Sequence, residues 1–372
     1  MQKNWTCLGM MSGTSGDGVD ASIIKTNGIN QYEIIEDKYF EYDSAIYKDI
    51  HNLKDKIHKI GDLKLFNNEL NILERKLTIF HAEVINRLNL NDQTIVGFHG
   101  QTIFHDSEEK ISRQLGNGKL LNQLINKTVV FDFRKNDILN GGEGAPLTPI
   151  FHQLICKQKK IKLPICFLNI GGISNVTIIK SLNDETEIFS KDIGPGNCLI
   201  DSWVRNNSKK KFDKDGKFAS SGTKNEIIFE QAQELYMNRN NKEKKSFDTN
   251  DFDISFVRGL NLEDGVTTLT DFTASVIAEE LTTFLKKFDQ SIKEILLCGG
   301  GRKNKVFIKK IQNNLASNIN LKLVDDYQID GDFIESQAFA FLAIRSLLGL
   351  PISFPNTTGC VSPSTGGELI KN

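Results

Sequence analysis

Apolar positions in this chain fall into two regimes: short β-branched runs that end in glycine, and longer stretches with charge at helical spacing. Residues 4–10 and 19–26 predict two strands on either side of the turn "SGTSGDG" (12–18). "LKLFNNELNILERKLTIFHAEVINRLN" (63–89) carries apolar letters at i, i+3 and i+4 and predicts one long amphipathic helix. "QTIVGFHGQTIFH" (93–105) reads as a strand broken by a glycine turn. "KTVVFDFRKNDILNGGEGAPLTP" (127–149) passes from a strand into a loop with glycines and prolines, the best place for a domain boundary. "PICFLNIGGISNVTIIK" (164–180) then repeats the opening design of strand, small-residue turn and strand, which suggests two related lobes. Further helices are expected at 223–238, 268–288, 303–315 and 335–348. "EILLCGGGRKN" (294–304) predicts a strand running through three glycines into a helix, and 238–253 a polar, mobile loop.

Composition narrows the class. A chain of 372 residues, 39% hydrophobic and 25% charged, suits two globular domains with substantial cores. A net charge of -1 supplies no field for nucleic acid or an acidic membrane, so neither is an expected partner. The lysine runs at 157–162 and 209–211 read as solvated surface. No secretory leader or membrane span is legible, and six scattered cysteines without a C-x-x-C pair fit a reduced, cytoplasmic enzyme. The six histidines show no metal-ligand spacing.

The candidate chemistry lies in the turns. Successive amides of a glycine turn form a concavity for anions. Thr14 and Ser15 add hydroxyls suited to phosphate oxygens, while Asp17 and Asp20 bring carboxylates that suit Mg²⁺ rather than phosphate. Gly171 and Gly172, then Gly299, Gly300, Gly301 and Asn304, supply two further turns. Neither a P-loop nor a dinucleotide fingerprint is present, so three turns spread over both halves suggest a nucleotide held in a cleft between lobes. In "KDIGPGNCLID" (191–201), the sharp turn after Asp192 is expected to present its carboxylate at a strand's end as a general base. Its bland alternative is an Asx-type turn. Arg134 offers a fork-shaped donor for a substrate carboxylate, with Asp132 and Asp137 near enough in sequence to orient it, and a structural salt bridge is the equal alternative. His99 and Gln101 are hydrogen-bonders suited to a sugar, although a lone histidine is more often structural, and Glu335 at a helix start either points into a cleft or merely favours the helix dipole.

Taken together, "GMMSGTSGDGVD", "FHGQTIFH", "FDFRKNDILNGGEGAPLTP", "FLNIGGISNVT", "DIGPGNCLID" and "LCGGGRKN" resemble the anhydro-N-acetylmuramic acid kinase family, from about residue 8 to the C-terminus. The resemblance implies an α/β, two-lobed fold of the actin-like, sugar kinase and Hsp70 ATPase type. It would have duplicated ribonuclease H-like domains and a central cleft. Residues 1–140, completed by 350–372, would form one lobe and 141–349 the other. It implies a reaction in which ATP, with Mg²⁺, and water convert 1,6-anhydro-N-acetylmuramic acid to N-acetylmuramic acid 6-phosphate and ADP, during peptidoglycan recycling. By similarity, Gly13, Thr14, Ser15, Gly16, Asp17, Gly18, Val19 and Asp20 match the ATP-binding motif, with Asp17 toward the metal, and Asp192 matches the catalytic aspartate. Arg134 is then assigned to the lactyl carboxylate, and His99, Gln101 and Glu335 to sugar polar groups. A homodimer is compatible with the resemblance. Gly16 stands where the family would carry a larger apolar residue, and the stretch before "KSFD" (245–248) lacks expected prolines. The rival readings are a kinase of the same superfamily acting on a free hydroxyl or carboxylate, and a non-catalytic nucleotide sensor or actin-like scaffold.

Overall fold

In the computed structural model, residues 3–238 and 244–372 are described. Part of the loop expected at 238–253, residues 239–243, lies outside the described residues. In chain order the strands are β1 (Trp5–Ser12), β2 (Gly18–Thr26), β3 (Tyr32–Glu41), β4 (Ile95–Asp106), β5 (Ile111–Leu115) and β6 (Val129–Phe131). They continue with β7 (Ile165–Ile170), β8 (Ile173–Ile179), β9 (Ile188–Pro195), β10 (Glu294–Cys298), β11 (Asn320–Leu323) and β12 (Glu368–Ile370). The result is an α/β fold with two mixed sheets.

The chain divides into two compact units, one of 1–161, 181–188 and 332–372, the other of 162–180 and 189–331. Residues 141–161, 181–188 and 332–349, expected in the second lobe, fall within unit one. The reason is packing: the helix Ile334–Leu347 lies on β1, β2 and β4. Almost every side chain of that helix is buried, the mark of a helix inside a core rather than on its surface. Two glycines let it approach. Gly9 and Gly97 face each other across β1 and β4, and a Cβ on either would sit 1.9 Å from Ser336 O or 2.5 Å from Phe339 O.

Unit one carries a sheet in the order β12-β6-β4-β1-β2-β3, with β5 paired to β4. β1, β4 and β6 run parallel, while β1, β2 and β3 form an antiparallel meander. Unit two carries β11-β10-β7-β8-β9, with β7, β10 and β11 parallel and β8 antiparallel to β7. The expected long helix at 63–89 is two helices, Ile60–Leu65 and Asn67–Asn86, separated at Phe66 where ψ leaves the helical range at +21°. The loop expected after β6 contains a short helix, Lys135–Leu139, and ends in the helix Pro149–Lys159. The helix Leu262–Phe288 starts earlier than expected because Asn261 caps it, accepting from Asp264 N, and because Gly265 packs against the Trp203 indole. All six cysteines are free thiols. Among the described residues, no helix is long and apolar enough to cross a membrane.

Two buried histidines give unit one an acid limit. His81 donates from Nδ1 to Leu77 O at 2.7 Å, and burial pulls its ring down to about 4 and that of His152 to about 3. The unfolded chain takes up these protons near pH 6.5, whereas the folded chain resists them until lower pH. Stability is therefore intact above pH 6.5 and falls as pH drops toward 4, by about 3 kcal/mol from His81 alone. Urea midpoints measured between pH 7 and 4 check this. His81→Gln is expected to flatten the slope by about that amount, and an unchanged slope would reject the account.

Candidate active site

The opening turn of unit one is held by its carbonyls. Gln101 Nε2 and Gly16 N donate to Gly13 O at 2.9 and 3.1 Å, Lys54 Nζ donates to Thr14 O at 2.7 Å, and His51 Nε2 donates to Ser15 O at 3.0 Å. Among the described residues, no acceptor pairs with the Thr14 and Ser15 N–H groups. A turn whose oxygens are tied to the body while amides stay unclaimed is suited to an anion. Gly16 has φ +60°, and a Cβ there would sit 2.9 Å from Ile50 Cγ2. A larger residue at this point would therefore need a different backbone. Val19 and Asp20 lie in β2, where Val19 is buried and Asp20 pairs with Met11.

Asp17 is half-buried at the end of the turn and accepts from Ser15 Oγ at 2.6 Å. Among the described residues, no group of three or more His, Cys, Asp or Glu side chains could enclose a metal ion. Mg²⁺ held mainly by phosphate oxygens and water needs only one or two carboxylates, so Asp17 beside unclaimed amides fits that ion.

Gln101 and His99 both bond to neighbouring protein groups. Gln101 is fully buried, accepts from Ser12 Oγ at 2.6 Å and donates to Gly13 O and Thr102 O. Its amide holds the turn. His99 Nδ1 donates to Gly100 O at 2.8 Å, so Nε2 carries the lone pair, which accepts from Arg134 Nε and Nη2 at 3.1 and 3.0 Å. Burial first, then the Arg134 charge, holds this imidazole well below its usual range. It is a neutral acceptor that orients the guanidinium.

Arg134 Nη1 also donates to Gly144 O at 2.9 Å. Asp137, fully buried, anchors the same residue by accepting from Gly144 N at 2.7 Å, and also accepts from Thr358 Oγ1 at 2.6 Å. Asp137 thus orients Arg134 through one residue, Gly144, whereas Asp132 lies 3.9 Å from the Lys135 ammonium instead. Glu335 is half-buried in the first turn of the helix Ile334–Leu347.

In unit two, the Gly171–Gly172 turn and the Gly299–Gly301 turn leave the carboxyl ends of adjacent parallel strands, since Asn169 in β7 pairs with Cys298 in β10. Strand ends of this kind are where open α/β sheets bind ligands. Gly299 has φ +77°, and a Cβ there would meet Asn169 Oδ1 at 2.3 Å. A Cβ on Gly301 would meet Ile170 Cγ2 at 2.3 Å, whereas one on Gly300 would meet nothing within 4 Å. Asn304 caps the helix Lys305–Asn314 by accepting from Phe307 N at 3.1 Å.

Arg302, a residue the sequence reading passed over, braces this turn. It is buried, pairs bidentately with Asp325 at 2.8 and 2.9 Å and donates to Gly299 O at 3.1 Å.

Asp192 lies inside β9 and is buried, not presented at a strand's end as the turn chemistry suggested. The strand continues to Pro195, so the sharp turn serves a different purpose. Gly196 N and Cys198 N donate to Gly172 O at 2.8 and 3.1 Å, and Asn197 N to Gly171 O at 2.8 Å. This turn therefore clamps the glycine pair. Asp192 itself is held by "KSFD": its N–H donates to Lys245 O at 2.7 Å and its Oδ2 accepts from Phe247 N at 2.8 Å. Backbone donation to one oxygen fixes the plane of the carboxylate.

A family model described as anhydro-N-acetylmuramic acid kinase matches residues 5–372. The chain belongs to the anhydro-N-acetylmuramic acid kinase family. A kinase of this name from Pelagibacter ubique is 53% identical over 375 residues, covering the whole of both chains. Others are more distant. The Rhodospirillum rubrum kinase is 37% identical, with 97% of this chain and 92% of the relative covered. The one from Agrobacterium fabrum is 33% identical over 98% of each. As an anhydro-N-acetylmuramic acid kinase, the chain is an ATP-dependent phosphotransferase. It hydrolytically opens the anhydro ring and phosphorylates O6, in amino sugar metabolism and peptidoglycan recycling. Kinases of this family use ATP with Mg²⁺.

Proposed function

We propose that Asp192 is the general base of this reaction and that the three glycine turns hold the nucleotide. O6 of the substrate is bonded to its own anomeric carbon, so a simple kinase step has no hydroxyl to use. Asp192 takes a proton from water as the water oxygen bonds to C1. The C1–O6 bond breaks with its electrons on O6, and O6 bonds to the γ-phosphorus as ADP departs. An inverting glycosidase would need a second carboxylic acid to protonate the leaving oxygen; phosphoryl transfer to O6 takes that place here. The observation that carries the assignment is the Phe247 N–H on Asp192 Oδ2, since a base that activates water must keep its carboxylate in one orientation.

Thr14, Ser15, Gly300 and the neighbouring glycines are assigned to the phosphates, and Asp17 to Mg²⁺. The ion, when bound, supplies charge neutralisation of the transferring phosphoryl group. Arg134, set by His99 and Gly144, takes the lactyl carboxylate, and Glu335 takes a sugar hydroxyl. The reading of two duplicated ribonuclease H-like lobes is supported by the sheet orders, β6-β4-β1-β2-β3 in one unit and β11-β10-β7-β8-β9 in the other. A cytoplasmic location follows from the supply of ATP.

Turnover in ¹⁸O-water tests the chemistry. Label is expected in the anomeric hydroxyl of the product and not in its phosphate. Unlabelled product would sink the water-activation step and favour direct phosphorylation of a free hydroxyl.

A further inference from the structure

A cavity of about 180 Å³ opens within unit one, between the helix Pro149–Lys159, the turn at 27–31 and the loop 181–187. That is far more than the roughly 10–15 Å³ one water needs. Ile150, Leu154 and Leu182 give it an apolar wall, and Arg345, Lys157 and Glu185 give it charge.

Arg345 is the unusual group. It is 5% exposed, and among the described residues its hydrogen bonds go to carbonyls: Nε to Pro351 O at 2.7 Å and Nη1 to Gly28 O at 3.2 Å. Among the described residues, no carboxylate lies within ion-pairing distance of it, although a buried charge is ordinarily paired. Burial pulls this guanidinium down to about 10, with the Glu185 charge acting the other way. Glu185 lines the same cavity without forming an ion pair with Arg345. Lys157 Nζ donates to Asn183 Oδ1 at 3.1 Å and leaves a second cation on the same wall.

We propose that this cavity binds a small zwitterion of the α-amino-acid class, with its carboxylate on Arg345 and Lys157 and its ammonium on Glu185. A simple anion meets repulsion from Glu185, and a simple amine meets it from the two cations. Only a molecule carrying both charges satisfies the three groups, and an aliphatic side chain suits the apolar wall. Nothing in the reaction above uses these residues.

Calorimetric titration of the full chain with L-leucine, L-alanine, acetate, methylammonium and inorganic phosphate tests the proposal. L-leucine is expected to bind most tightly, at least about tenfold better than acetate, methylammonium or phosphate. Glu185→Gln is expected to weaken L-leucine by about tenfold while leaving thermal stability and kinase turnover unchanged. This variant is preferred to one at Arg345, which also holds Gly28 and Pro351. No heat with either amino acid, equal binding of acetate or phosphate, or undiminished L-leucine affinity in Glu185→Gln would each overturn it. Competition between L-leucine and the anhydro sugar would also do so, by placing the amino acid in the active site.

Discussion

Asp192→Asn is expected to lower kcat by roughly 10²–10⁴-fold, the usual worth of a general base. The amide oxygen can still accept from Phe247 N, and the Asp192 N–H still reaches Lys245 O, so the local fold is kept. What is lost is a group that can take a proton from water. The KM for ATP should change little and thermal stability should stay close to that of the parent. Steady-state kinetics with ATP and the anhydro sugar decide it. A kcat near that of the parent would move the base to another residue, and a collapse in stability would make Asp192 a structural carboxylate.

Gly300→Val and Gly299→Ala are expected to fail in different ways. The protein leaves open space beside Gly300, so valine there should fold normally. A side chain in that space would stand where a nucleotide approaches the turn, and the KM for ATP should rise at least about tenfold, or 1.4 kcal/mol. Gly299 has φ +77° and no room for a Cβ beside Asn169 Oδ1 and Ile170 O, so alanine there should lower stability by about 1–3 kcal/mol. Thermal unfolding and ATP titration of both variants separate the effects. A Gly300→Val enzyme with normal ATP kinetics would take the third turn out of the nucleotide site.

The glycine turns and their flanking strands were legible because glycine and β-branched residues are unambiguous punctuation. The partners that hold those turns were not. Lys54, His51 and Arg302 act on carbonyls, and nothing in their sequence neighbourhoods announces it. The backbone contacts of His99 and Gln101 were hidden for a related reason. A polar letter beside glycine looks the same whether it faces a ligand or a turn's own backbone, and only burial tells them apart. β3 was missed because Ile34, Ile35 and Tyr39 on this sheet-edge strand are exposed, so its letters never alternate cleanly. The helix Pro149–Lys159 was missed because its first eight residues are all buried, leaving no polar face to mark the period. The letters of "KSFD" give no sign of its grip on Asp192, which spans more than fifty residues of chain.

The route of the chain has a practical consequence for anyone who would cut it. Continuity passes from one unit to the other at 161/162, 180/181, 188/189 and 331/332, so neither unit is a single stretch of sequence. A product truncated after residue 331 would lose the buried helix that roofs β1 and β4, leaving the first sheet with an open apolar face. Stopping translation early would therefore yield aggregate rather than half an enzyme, and dissection of this kinase calls for split-and-reassociate fragments rather than excised domains.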